Sequence, residues 1–332
     1  MDSSSCRGDQ KVAIFLLGLK ELSREEKIYL LAQLNCLTTN NLLIDGLERG
    51  LSIVGQIPRK LAQIFCGPTS NPTLFQEDNE GAEAKVSYLA ERIEEEAKAL
   101  SIWHNKTIER ELGKKMRHIA GVGPDASDNV LAAAIIHRLA RVYKLDPSAY
   151  PNRTALETAL FEACIQEQMQ ILQNHINKLS PRQEARFEEI LNQQLKELSK
   201  ADKEEIQRIT NLNQLSARAL IGFLKNTSTV ALAQSLVAGT GFGAYLFLAT
   251  AIKSVSLLAG VTFPFAVYAT ASSMLAFLLS GPFLLLTIFL SGGYIWRKTS
   301  EDLKTQLAKI LFLTGRAKLA VIADSAPSPA AF

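Results

Sequence analysis

At 332 residues and 47% hydrophobic content, the chain can bury a sizeable core without a disulfide or a metal to staple it. Its four cysteines, Cys6, Cys36, Cys66 and Cys164, form no C-x-x-C pair, which argues against a zinc site. The net charge of +3 hides a split: 26 Lys/Arg against 30 Asp/Glu up to Glu205, then 10 against 3, with no acid between Glu205 and Glu301. A basic half of this kind points to an anionic partner, either nucleic acid or lipid headgroups.

The N-terminal region, 1–66, reads as helical. An acid, Asp2, stands where a secretory signal needs positive charge, and the apolar run Val12–Leu19 is brief. The N-terminal part is therefore expected in the cytosol, with reduced thiols. Ser23 opens S-R-E-E, a capping box with Glu26 at its third helical position, followed by an apolar stripe of Ile28, Leu30, Leu31 and Leu34. Residues 67–81, rich in Pro, Gly and Asn, read as a linker.

A central amphipathic domain is expected over 82–225. Val86, Leu89, Ile93, Ala97 and Leu100 recur at helical steps, and the pattern runs on through Ile108 and Leu112 as one long helix. GVGPDASD at 121–128 breaks it, and DNVLAAAIIHRLARVYKLD at 128–146 is a compact apolar helix carrying His137 as a packing or partly exposed residue. Thr154 to Glu157 reads as a second capping box, opening a helix to about Leu179. Ser180 followed by Pro181 and Gln183 starts another, lined by Phe187, Ile190, Leu191, Leu195 and Leu198. A further helix is expected from about Asp202 to Leu224. No period-2 strand is evident, so the fold is expected to be all-α, with a C-terminal hydrophobic helical hairpin that inserts in a membrane or is buried.

From Asn226 to Trp296 the only charge is Lys253, and the charge-free stretch Ser254–Trp296 is about twice the roughly 20 residues a bilayer span needs. Within 226–298, Pro264 and the Gly281-Pro282 step divide expected helices at about 229–252, 262–280 and 283–298. Tyr294 and Trp296 before Arg297 and Lys298 resemble an interfacial edge. Lys225 precedes the region, and Arg297, Lys298, Lys304, Lys309, Arg316 and Lys318 follow it. Basic flanks on both sides place both on the cytoplasmic face and imply an even number of crossings, so one of the three helices is re-entrant, interfacial or buried in protein. The alternative is a soluble domain that hides an apolar hairpin. The seven cations are the expected anionic-lipid contacts. A basic helix over 299–323 lies on a membrane surface or packs back on the domain, and 324–332 reads as a disordered tail.

AGTGFGA, 238–244, fits the dinucleotide spacing G-x-G-x-x-G/A, but helix rather than strand precedes it and the next acid is Glu301. Gly239, Gly241 and Gly243 are better read as permitting close helix approach in lipid. There is no G-x-x-x-x-G-K-[ST], H-E-x-x-H or G-x-S-x-G, so no catalytic residue, metal or cofactor is expected. The basic residues are too dispersed for a nucleic-acid surface.

DNVLAAAIIHRLARVYKLD, ALETALFEACIQEQMQIL and SPRQEARFEEILNQQL, then AGTGFGAYLFLATA and Ser280-Gly281-Pro282, resemble in order and character the YaaW-like family of bacterial proteins, over roughly 105–315. Residues 1–100 have no counterpart in that family, and the apolar segment here is more hydrophobic. The resemblance implies a fold and no catalytic residues.

The expectation is a non-enzymatic, membrane-associated helical protein whose partner is an anionic bilayer, with interaction, remodelling or permeabilisation, in stress or defence, as candidate roles. A protein partner or self-association fits the same pattern, whereas a small-molecule substrate does not. The alternative is a soluble, cytoplasmic chaperone or adaptor binding a partner's hydrophobic segment.

Overall fold

The computed structural model describes residues 13–38, 92–238, 246–247, 250–251, 254 and 300–325. All regular elements among the described residues are helical. In chain order they are α1 (Ile14–Lys20), α2 (Arg24–Thr38), helical residues 92–101, α3 (Asn105–Ala120), α4 (Asp128–Tyr143), a single 3-10 turn (Pro147–Ala149), α5 (Arg153–Ile176), α6 (Pro181–Glu197), α7 (Lys200–Thr210), α8 (Ala217–Asn226), α9 (Thr229–Ala238) and α10 (Ser300–Ser325). The expected linker 67–81, the helices at 262–280 and 283–298, and most of the tail lie outside the described residues.

Several starts form as their residues dictate. At Ser23 the backbone N–H donates to Glu26 Oε2 at 2.6 Å, and Glu26 N–H donates back to Ser23 Oγ at 3.2 Å. Ser180 and Gln183 close the same box, with Pro181 at the first helical position. A box not foreseen, Ser199 with Asp202, opens α7.

Other expectations are corrected. Thr154 does not cap α5: Asn152 Oδ1 accepts from Ala155 N–H at 2.9 Å, and Glu157 turns away to another helix. The long helix through Leu112 is two helices, broken at 102–104 and tied there by Arg24, whose guanidinium donates to Ser101 O and Trp103 O. The expected 202–224 helix is also two. Asn211 adopts φ 52° and ends α7, a left-handed C-terminal cap that asparagine tolerates. α10 reaches Ser325, into the segment expected to be tail.

α10 is the centre of the molecule, packed against α1, α3, α4 and α5. Residues 307 to 315 are buried without interruption, which means burial on every face of the helix. A helix apolar all round seeks the middle of a core. It does not rest on a surface, so of the two placements open for 299–323 the structure has the helix packing back on the domain. One core cluster joins residues from 13–38, 92–233 and 300–325, together with Leu246, Phe247 and Ala251.

α1 lies against α10 at backbone distance. A Cβ on Gly18 would fall 1.8 Å from Gly315 O, and one on Gly315 would fall 1.9 Å from Phe15 O. Both glycines are required by that approach, and beside them Phe15 and Phe312 rings pack with centroids 5.4 Å apart. Farther on, the buried Gln173 of α5 donates to Leu224 O at 2.7 Å and Thr227 O at 2.6 Å, and Thr229 Oγ1 donates to Gln173 Oε1. One amide thus fixes the corner between α8 and α9. Phe247 continues the packing edge-to-face on Phe223 at 6.0 Å.

Gly315→Ala should lower unfolding stability by at least about 2 kcal/mol, because the added methyl meets backbone that cannot yield. Gly222→Ala in α8, where an added Cβ meets nothing within 4 Å, should instead raise it by about 0.5–1 kcal/mol. Urea unfolding of the two variants checks both signs.

Candidate functional site

The most concentrated chemistry among the described residues is a seam of charged and polar groups along α10. A helix buried on all faces carries Lys309 at its middle, 3% exposed. An unpaired ammonium there would be severely destabilising, so the surroundings supply a carboxylate. Lys309 Nζ donates to Glu167 Oε1 at 2.8 Å and Oε2 at 2.7 Å. The Tyr143 hydroxyl donates to Glu167 Oε2 at 2.6 Å, and Lys309 Nζ stands 5.1 Å from the Tyr143 ring centroid. Three helices, α4, α5 and α10, are joined at this point.

Cys164 lies in the same cluster, fully buried, and burial pushes its thiol up to about 12. Burial, first, and then Cys164 and Glu167 push the Tyr143 phenol upward as well. Cys36 is pushed up to about 11 by burial, with Glu96 adding to it. Neither thiol is a ready nucleophile, since reactivity belongs to the thiolate.

The seam has two further members. Lys318 donates to Glu26 Oε1 and Oε2 at 3.1 and 2.8 Å, tying α10 to the first turn of α2. Glu157, fully buried, accepts from Ile14 N–H at 3.0 Å and Phe15 N–H at 3.1 Å. It therefore caps the N-terminus of α1 from a distance of more than a hundred residues in sequence, satisfying amides that a helix start leaves open. Burial raises its carboxyl, and the two N–H donors, Arg316 and Arg153 pull it back down.

Of the cations expected to meet lipid, the structure describes five, and each has a partner within the chain. Lys225 pairs with Glu184 at 2.6 Å, Lys304 with Glu301 at 2.9 Å, Lys309 with Glu167, and Lys318 with Glu26. Arg316 lies over the Phe161 ring at 5.4 Å. Lys309 and Lys318, at 3% and 16% side-chain exposure, face the protein interior. Glu301 is held by Lys304 and by Arg138 at 2.8 Å, which lower it to about 2. Gly239, Gly241, Gly243, Pro264, Gly281, Pro282, Tyr294, Trp296, Arg297 and Lys298 lie outside the described residues. Among the described residues no helix is long and apolar enough to cross a membrane, and no group of three His, Cys, Asp or Glu is placed to hold a metal. His104, His118 and His137 are exposed.

Sequence reasoning missed Glu157, Glu167 and Glu26 as partners of α1 and α10. The signal available was Lys309 itself, a cation interrupting the apolar run Leu307–Leu313. Such a residue on a wholly buried helix demands a carboxylate elsewhere, although its identity is set only by the fold.

The arrangement is an ion pair closed by a phenol, a second pair and a capping carboxylate, which together tie α10 to α5 and α2, and α5 to α1. Comparison of the chain with protein-family models, with curated proteins and with solved structures finds no match in any of the three.

Lys309→Met should cost about 1–3 kcal/mol, because Glu167, its side chain 29% exposed, keeps a partly desolvated charge with no counter-charge. Lys309→Met combined with Glu167→Gln should recover part of that loss in a double-mutant denaturation cycle.

For Glu157 the sign follows from a folded carboxyl raised above its unfolded value. The folded state binds the proton more readily, so Glu157 makes stability fall as pH rises from the unfolded value through the raised one. Glu157→Gln should remove that component from a pH series of thermal unfolding, and at neutral pH should lose one of the two caps on α1, at a cost of about 1–2 kcal/mol.

Proposed function

We propose that the chain is a non-enzymatic helical protein that associates with an anionic membrane through the apolar region 226–298. The observation that carries this reading is the charge-free run Ser254–Trp296, roughly two spans long and bounded on its far side by Arg297 and Lys298. Both flanks of the region lie on the cytoplasmic side in this reading, and Gly239, Gly241 and Gly243 serve close helix approach.

The packing at the near end of the region supports a body that holds that end in protein. Leu246, Phe247, Thr250, Ala251 and Ser254 are buried at i, i+1, i+4, i+5 and i+8, a single helical face. Thr250 and Ser254 return their hydroxyls to Leu246 O and Thr250 O at 2.8 Å, leaving no polar edge toward the neighbouring helices. In this reading the helical body is a platform, α9 and residues 246–254 are the root of the apolar region, and Lys225 belongs to the platform rather than to the lipid contact. The same burial also favours a second reading, a soluble adaptor that presents an apolar surface to a partner's hydrophobic segment.

Fractionation without detergent separates the two. Membrane association predicts a pellet that resists sodium carbonate and high salt. A monodisperse supernatant that carries one stoichiometric hydrophobic client would sink the membrane reading and favour the adaptor.

A further inference from the structure

The turn at 102–104 carries an apolar side chain that the core does not use. Ile102 is 85% exposed, the most exposed large apolar side chain among the described residues, and Trp103 beside it is 37% exposed. The turn is held firmly. Arg24 donates to Ser101 O at 2.6 Å and Trp103 O at 3.0 Å. Trp103 N–H donates to Leu100 O, and Ser101 Oγ to Lys98 O at 2.6 Å. His104 O accepts from Thr107 N–H and Ile108 N–H as α3 begins.

We propose that Ile102 and Trp103 form an interfacial anchor that seats at the headgroup and acyl boundary of an anionic bilayer, a contact separate from the apolar region 226–298. The proposal rests on the membrane reading above, which supplies the bilayer. Three observations select lipid as the occupant. First, the indole and the aliphatic side chain stand together at a tip, and tryptophan belongs at the level of the headgroups. Second, the carbonyls of Ser101, Trp103 and His104 already have donors, so the tip leaves bulk water without orphaning them. Third, no acid occurs from Ser101 to Ile108, where Lys106 is exposed, and the first one beyond, Glu109, is engaged by Lys27 at 2.8 Å. A protein partner fits less well. Two side chains fall far short of the roughly 800 Å² that each partner contributes to a stable interface, whereas a bilayer requires no matching surface.

The chain has two tryptophans, Trp103 and Trp296. In the full chain carrying Trp296→Phe, Trp103 is the only indole emitter. Vesicles of phosphatidylcholine with phosphatidylglycerol should shift its emission to the blue, and lipids brominated near the headgroup end of the acyl chain should quench it. Ile102→Ser, which removes no core contact, should weaken vesicle partition by roughly tenfold at an unchanged unfolding temperature. Co-sedimentation of the unaltered chain runs in parallel. If that chain co-sediments while Trp103 emission and Ile102→Ser partition stay unchanged, the anchor is overturned and the membrane reading stands. If it does not co-sediment, both fall. Should Trp296→Phe fail to fold, Ile102→Ser partition alone decides, because its site is solvent-exposed.

Discussion

The approach of α1 to α10 is the constraint on which the remaining packing depends. Two glycines, Gly18 and Gly315, let the helices meet at backbone distance, and that closeness sets Phe15 on Phe312. It also brings the N-terminal amides of α1 within reach of Glu157 on α5. A seven-residue helix has little intrinsic stability. Here it is fixed at its start by a distant carboxylate and along its side by a close helix. α10 in turn contacts α1, α3, α4 and α5, so displacing it would expose all four.

Ion pairs in this protein select an arrangement more than they stabilise it. Lys309 with Glu167 and Lys318 with Glu26 join α10 to α5 and α2 across large sequence separations. Desolvating such charges offsets much of their attraction. A rotation or one-turn slip of α10, however, would leave Lys309 buried without its carboxylate, a far larger penalty. Gly315 sets the level at which α10 meets α1, but on its face toward α5 an apolar helix has few other features to fix its register. The positive charge in the middle of α10 supplies that information, as polar residues do in otherwise uniform coiled coils.

Much of the helical layout was legible in the chain because helix starts are local chemistry. Ser23 with Glu26, and Ser180 with Pro181 and Gln183, state their role within four residues. Two breaks were less visible. Ser101 to His104 contains neither proline nor glycine, and the tie from Arg24 that stabilises it comes from a distant part of the sequence. Asn211 ends α7 by adopting a left-handed conformation that asparagine permits but does not require. Thr154 and Glu157 carried the spacing of a capping box, yet Asn152 took the cap and Glu157 was drawn to α1. Local pattern lost to a tertiary contact there. The same holds for α10: its sequence left a membrane surface and packing on the domain both open, and the fold turns two of its lysines onto Glu26, which is buried, and Glu167, which is partly buried.

The place of α10 in the sequence bears on synthesis. The helix that completes the core lies beyond 300, whereas its partners lie before 177. At about 5–20 residues per second, α1 to α9 and the apolar run after them leave the ribosome several seconds before the partner that unites them. The nascent chain thus passes through an interval in which Leu16, Ile108, Leu139 and Leu160 have no central helix to cover them, and in which the most apolar part of the polypeptide has already emerged. An all-helical protein would ordinarily escape such a delay through local contacts. This one, closed by a late helix, has no finished core until residues 300–325 have emerged.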